Sequence, residues 1–333
     1  MKHLGGVVCA VLLVPFTGTA DPGATVDIRE WKVPYEESRP RDPYVDREGR
    51  VWFVGQRTHY VAYLNPESGE FKKFDLEAGA GPHNLIVDKN GYVWYAGNLK
   101  ANIGRLDPKT GEIKTFTMPD PAARDPHTLV FDQQENIWFT TQGGNMIGRL
   151  ETASGQVRLV PIPTPKARPY GIKVDAKGRP WAVLVGTNKL ATIDPATMAL
   201  KEIELPRAET RPRRLEIDSK GDIWYVDYAT GRIGHYKVES GRVEEWVTPG
   251  GEASQPYGTA MDKADRLWFV ESGPSPNMFI GFDTRTKQFL PGTPVPSGGG
   301  TVRHMYYHPP TNEVWFGTDT NTIGRAKLPS DAT

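Results

Sequence analysis

Between Val26 and Arg325 the apolar residues come in short runs separated by turn-forming clusters, and no segment sustains a helical period. Leu85-Ile86-Val87 is apolar at successive positions, as expected for a short strand buried on both faces. Asp88 and Gly91 follow, a tight-turn pair: aspartate bonds its own following backbone and glycine accepts positive φ. Then come Val93-Trp94-Tyr95, a third run Ile103-Gly104-Arg105-Leu106, and the hairpin signal Pro108-Lys109-Thr110-Gly111. The unit ends in Glu112 to Pro119, where apolar and polar residues alternate as on a strand with one wet face.

This four-strand unit repeats. Tryptophan recurs in the same frame at Trp52, Trp94, Trp138, Trp181, Trp224, Trp268 and Trp315, at intervals of 42, 44, 43, 43, 44 and 47 residues. Four strands in about 40 to 45 residues is the period of propeller blades, whereas a solenoid of that period uses helices. The pattern predicts an all-β, seven-bladed propeller as one domain over 21–333. The seventh copy stops after Thr322-Ile323-Gly324-Arg325, one strand short. Val26 to Pro34 resembles the outer strand Val243 to Pro249 of another copy, so it is expected to complete the last blade and close the ring.

The first twenty residues change the picture of the compartment. Met1-Lys2-His3 is a short basic start, Leu4 to Phe16 is apolar but too short to span a bilayer, and Gly18 and Ala20 are small residues before a cleavage point. Residues 1–20 therefore read as a signal peptide, and the mature chain is expected in the periplasm or outside the cell, with no membrane segment. The one cysteine, Cys9, lies in that leader, which leaves no disulfide or thiolate chemistry in the mature form. Lys plus Arg equals Asp plus Glu, 40 of each, so no global field favours nucleic acid or anionic lipid. A closed ring has no free sheet edge, so a monomer is the default.

Candidate chemistry is sought where the repeats differ. The loops into the inner strands and out of the second strands open on one face, and their variable positions are the natural binding surface. The recurring glycines, strand-ending aspartates and framework tryptophans are scaffold. Aligned copies give a first ring of Arg41, His83, His127, Tyr170, Arg213, Tyr257 and Arg303. A second contains Asp42, Asn84, Thr128, Gly171, Arg214, Gly258 and His304, and a third, after the second strand, includes Gln56, Asn98, Gln142, Glu271 and Asp319, with Asp227 or Tyr228 in the fifth copy. The arginines either bind a carboxylate or phosphate through their donor forks or pair with Asp42, Asp227, Glu271 and Asp319 to join blades. The histidines are candidate bases, because neutral imidazole takes a proton near pH 7.

Asn136-Ile-Trp-Phe-Thr140, Met146-Ile-Gly-Arg-Leu150 and the Pro-His openings of two copies resemble the streptogramin B lyase (virginiamycin B lyase) family over about Val26 to Arg325. The resemblance implies elimination at the ester of a cyclic depsipeptide, a carbon-oxygen lyase reaction assisted by Mg²⁺ and linked to antibiotic resistance. It implies His127 as the base and His83 as a substrate contact. Asp125, in Asp125-Pro126-His127, stands for one acidic metal ligand, and Gln142 occupies the position of the second. Arg41, Tyr170, Arg213, Arg214, Tyr257, Arg303 and His304 are the remaining substrate-binding candidates. A related lactonase-type hydrolase would instead draw metal ligands from Glu271, Asn98 and Asp319. Without catalysis, the same face would bind an anionic small molecule, a peptide or a protein partner.

Overall fold

The computed structural model describes residues 26–329, so the leader, residues 1–20, lies outside the described residues. Seven antiparallel sheets form a ring, and six of them hold their strands in sequence order from the channel outward. In the first blade the order is Pro40–Val45, Val51–Gly55, Tyr60–Leu64 and Phe71–Asp75. The burial follows the sequence pattern: the second strand is wholly buried, while the outermost alternates between half-buried and exposed positions. In the sixth blade the outer strand is broken into Gln288–Phe289 and Thr293–Pro294, both on Met278–Asp283.

The seventh blade contains the first and the last of the described strands. Asp27–Lys32 pairs antiparallel with Thr322–Lys327, from Asp27 opposite Lys327 to Lys32 opposite Thr322. Trp31 stacks on the framework Trp315 across this junction, centroids 5.5 Å apart. The closing strand is thus held by a ladder and by a large apolar contact.

The repeated aspartates act as turn anchors. Asp262 shows the full pattern: one carboxylate oxygen accepts the backbone N–H groups of Ala264 and Arg266, and the other accepts Trp268 Nε1 at 2.9 Å. The same aspartate-to-tryptophan bond recurs at Asp46 with Trp52, Asp88 with Trp94, Asp175 with Trp181 and Asp218 with Trp224. In the third blade Asp132 instead meets Asn136 and Arg149, and Trp138 Nε1 is buried without a partner.

Six of the seven inner strands start at a proline and carry a register shift near it, as between Pro126 and Leu129. Blades crowd closely at this level. A Cβ on Gly171 would lie 3.1 Å from the Arg213 carbonyl oxygen and 3.2 Å from Arg214 Cα, which explains glycine at that position of the second ring.

Candidate functional site on the upper face

The chain leaves each second strand beside the loop that enters the inner strand of the same blade. Gln142 N–H donates to the Asp125 carbonyl at 2.9 Å, and Gln56 N–H donates to the Arg39 carbonyl at 3.4 Å. The first and third rings therefore share one face, as the repeat alignment predicts.

The two histidines are adjacent. The His83 and His127 rings lie 3.5 Å apart between centroids, and the opposite face of His127 meets Tyr170 at 3.9 Å. Tyr170 in turn shares a short hydroxyl–hydroxyl bond with Tyr257. His127 is only 1% exposed and His83 4%. Burial first, then the charges of Arg214 and Arg41, hold the His127 imidazole well below its ordinary pKa; burial and Arg41 do the same to His83. Both rings are neutral at physiological pH.

Below them, Asp42 joins three blades. It lies 3.6 Å from the Arg41 guanidinium, 3.6 Å from that of Arg214, and accepts Asn84 Nδ2 at 2.9 Å. Asn84 passes the connection on by accepting Leu129 N–H, and Arg214 donates to Thr128 Oγ1 and to the Arg303 carbonyl, both at 3.0 Å. Arg41 also donates to Gln56 Oε1 at 3.0 Å. Thr128 Oγ1, already accepting from Arg214, lies 2.9 Å from His127 Nδ1. Arg41, Arg214, Asp42, Asn84 and Thr128 form a buried, cross-braced plug.

Arg213 is different. It is half-buried, and its guanidinium carbon sits 4.1 Å from the Tyr228 ring centroid, 4.2 Å from Tyr257 and 5.4 Å from Tyr170. No carboxylate pairs with it among the described residues, and its Nε lacks a hydrogen-bond partner. Burial opposes its charge, but the neighbouring tyrosines outweigh that and push its pKa up. Arg303, by contrast, is tied to Asp319, which Arg39 also approaches at 3.4 Å. His304 lies lower in the channel, on the side of the plug away from this face.

The arginines thus divide between the two expected uses. Arg214 joins the fifth blade to the first through Asp42, whereas Arg41 and Arg303 pair with acids of their own blades, Asp42 and Asp319. Of the other acids considered as their partners, Asp227 pairs with Arg207 at 2.7 Å, and Glu271 accepts the Gly250 N–H at 2.8 Å. Arg214 also lies over the Tyr170 ring, at 5.1 Å, but Arg213 is the one of the four with no carboxylate partner among the described residues.

The donor set for a dication is thin. Asp125 accepts a short bond from Asn98 Nδ2, and burial raises its pKa. Gln142 meets Asp125 through its backbone, not its side chain. Mg²⁺ takes several hard oxygen ligands, and one half-buried carboxylate already holding an amide does not fit that requirement. Asn98, Glu271 and Asp319, the lactonase-type set, are each engaged with separate partners in three different blades.

Asp42 as a hub and Tyr228 as a wall of the Arg213 cage are clearer here than in the sequence. Acid between two arginines of distant blades, and an aromatic after the second strand, were the available signals.

A model of the virginiamycin B lyase family matches residues 19–276. The chain belongs to that family. Among solved structures, virginiamycin B lyase from Staphylococcus aureus superposes with a TM-score of 0.81 at 22% identity, covering 91% of this chain and 100% of the other. A catalytically inactive histidine-to-alanine variant of the Staphylococcus aureus lyase with quinupristin gives 0.82 at 22% identity, with the same coverage. Hydrazine synthase from Kuenenia stuttgartiensis gives 0.73 at 13% identity, over 90% of this chain and 98% of that one. At these identities the likenesses establish the propeller fold alone. No curated protein matches the chain at a significant level.

Proposed function

We propose that this member of the lyase family is an exported propeller that holds a carboxylate- or ester-bearing small molecule on its upper face, with Arg213 as the anchor. The observation that carries this reading is the guanidinium of Arg213, half-buried, caged by Tyr170, Tyr228 and Tyr257, and without a carboxylate partner. A positive group over aromatic rims, backed by the further charges of Arg41 and Arg214 against the single acid Asp42, favours an anionic or strongly dipolar oxygen ligand. Calorimetric titration with a carboxylated cyclic depsipeptide and with simple aryl carboxylates tests it. Binding that Arg213→Ala weakens tenfold or more supports the reading; binding that this variant leaves untouched overturns it. N-terminal sequencing of the secreted form checks cleavage after Ala20.

A second reading, ester elimination, is favoured by the neutral imidazole of His127. In it His127 removes the proton beside the ester, the carbon–oxygen bond breaks to give an alkene, and the departing carboxylate meets an arginine. This needs His83 or Tyr170, which pack against the ring, to yield a path. Mass spectrometry of a cyclic depsipeptide incubated with the protein reads it directly: a ring-opened product of unchanged mass, lost in His127→Ala, supports elimination, and an intact substrate removes it.

A further inference from the structure

The channel is closed by the plug on the upper face and open on the lower one. There, a cavity of about 620 Å³ is rimmed by Arg47, Lys89 and Glu135, and a deeper chamber of about 230 Å³ reaches Asn84, Thr128 and His304. Tyr44, Phe131 and Tyr306 line both, so the two spaces form one funnel that narrows toward the plug. Tyr44 and Tyr306, from the first and last blades, stand ring to ring at 4.5 Å.

The floor of the chamber is polar but almost fully satisfied. Both amide atoms of Asn84 are used, by Asp42 and by Leu129 N–H, and Thr128 Oγ1 serves Arg214 and His127. Lys173, on the wall, is paired with Glu216 at 3.0 Å. His304 is the exception, because its Nδ1 is buried with no hydrogen-bond partner. Burial above all lowers its pKa to about 3, so the ring is neutral and offers one donor and one acceptor. A neutral histidine ring lining an aromatic-walled chamber fits the make-up of a small-molecule site: apolar walls for affinity and a few polar groups for orientation.

We propose that the lower funnel is a second ligand site, distinct from the upper face, which takes a single-ring aromatic molecule with an uncharged oxygen at its inner end. The inner chamber falls below the roughly 300 to 1,000 Å³ of drug-sized pockets, which limits the buried part to one ring. The ring lies between Tyr44, Phe131 and Tyr306, and the hydroxyl or carbonyl oxygen meets His304. A charged inner end is disfavoured, because the chamber has no unpaired ion to offset the cost of desolvation. Substituents at the other end of the ring reach the wider cavity beside Arg47.

The test is calorimetric titration of the whole protein with 4-hydroxyacetophenone, phenol and toluene. Saturable one-to-one binding of the two oxygenated probes is expected, with toluene about tenfold weaker, the equivalent of one hydrogen bond. Val130→Trp, which fills the chamber, and His304→Phe, which removes the hydrogen-bonding ring, should each weaken the phenolic probes about tenfold or more. Arg213→Ala, on the upper face, should leave them unchanged. Absence of saturable binding at millimolar concentration overturns the proposal. So does binding that His304→Phe, shown to be folded by circular dichroism, does not weaken, or that Arg213→Ala abolishes. His304→Phe alone decides the matter if Val130→Trp does not fold.

Discussion

His127 is held between two rings, His83 at 3.5 Å on one side and Tyr170 at 3.9 Å on the other. This packing keeps the imidazole dry and uncharged, and His304, at the base of the plug, is neutral for the same reason. Each of the three histidines has a folded pKa below the ordinary 6.5. Below pH about 6.5 the unfolded chain therefore binds protons that the native state refuses, so stability is full above that pH and falls as pH drops, by up to about 1.4 kcal/mol per pH unit per group. For His304 the loss continues down to about pH 3. Urea denaturation at neutral and acid pH should show a shallower acid loss in His127→Gln and His304→Gln than in wild type. Parallel slopes in all three would mean that these rings take up protons in the native state.

The turn anchors differ in what depends on them. Asp262→Ala strips partners from two backbone N–H groups, Arg266 and Trp268 Nε1 in a buried setting. Each orphaned donor costs roughly 1 kcal/mol or more, so a loss of about 3 kcal/mol is expected by chemical denaturation. Asp132→Ala should cost less, since Trp138 Nε1 already lacks a bond to it. Equal losses would show that the indole bond adds nothing to these turns.

Trp31 carries the apolar part of ring closure through its stack on Trp315. Trp31→Ala should destabilise by about 3 to 5 kcal/mol, the usual range for a buried aromatic truncated to alanine. The decisive comparison is with Trp246→Ala, on the outer strand of the fifth blade, where neither chain end is involved. A smaller loss at Trp31 than at Trp246 would mean that the ladder alone closes the ring.

Magnesium is a clean discriminator on the upper face. With Asp125 engaged by Asn98 and no second acid beside it, millimolar Mg²⁺ should leave Tm unchanged, while Asp125→Ala should lower stability by about 1 to 2 kcal/mol through the bond it removes. A Tm that rises with Mg²⁺ in wild type and not in Asp125→Ala would reverse the conclusion about the donor set.

Much of the fold was legible because it repeats. Seven tryptophans in one frame, and a seventh copy lacking its last strand, are enough to specify blades and closure. The rings at the mouth were legible as positions, since His83, His127 and Arg213 are where the copies disagree. Their pairings were not, because a repeat alignment orders residues within a blade and says little about which side chains of distant blades meet across a channel. Arg214 bracing Asp42 is such a contact. The lower funnel has its own signal in the repeat: two residues beyond Asp42 and His304 along the inner strands come Tyr44 and Tyr306, aromatic where the other copies are aliphatic or charged.

The pairing of Asp27 with Lys327 also governs the order of events during synthesis and folding. Six blades are built from consecutive strands, but the seventh needs the segments 27–32 and 322–327, which six whole blades separate along the chain. Contacts of such span are slow to form, since a very long loop must close before they reward it. Until then the strand 322–327 and the strand 27–32 each present an unpaired edge. A circular permutant that links 322–327 directly to 27–32 and opens the chain between two intact blades would turn this junction into a local hairpin.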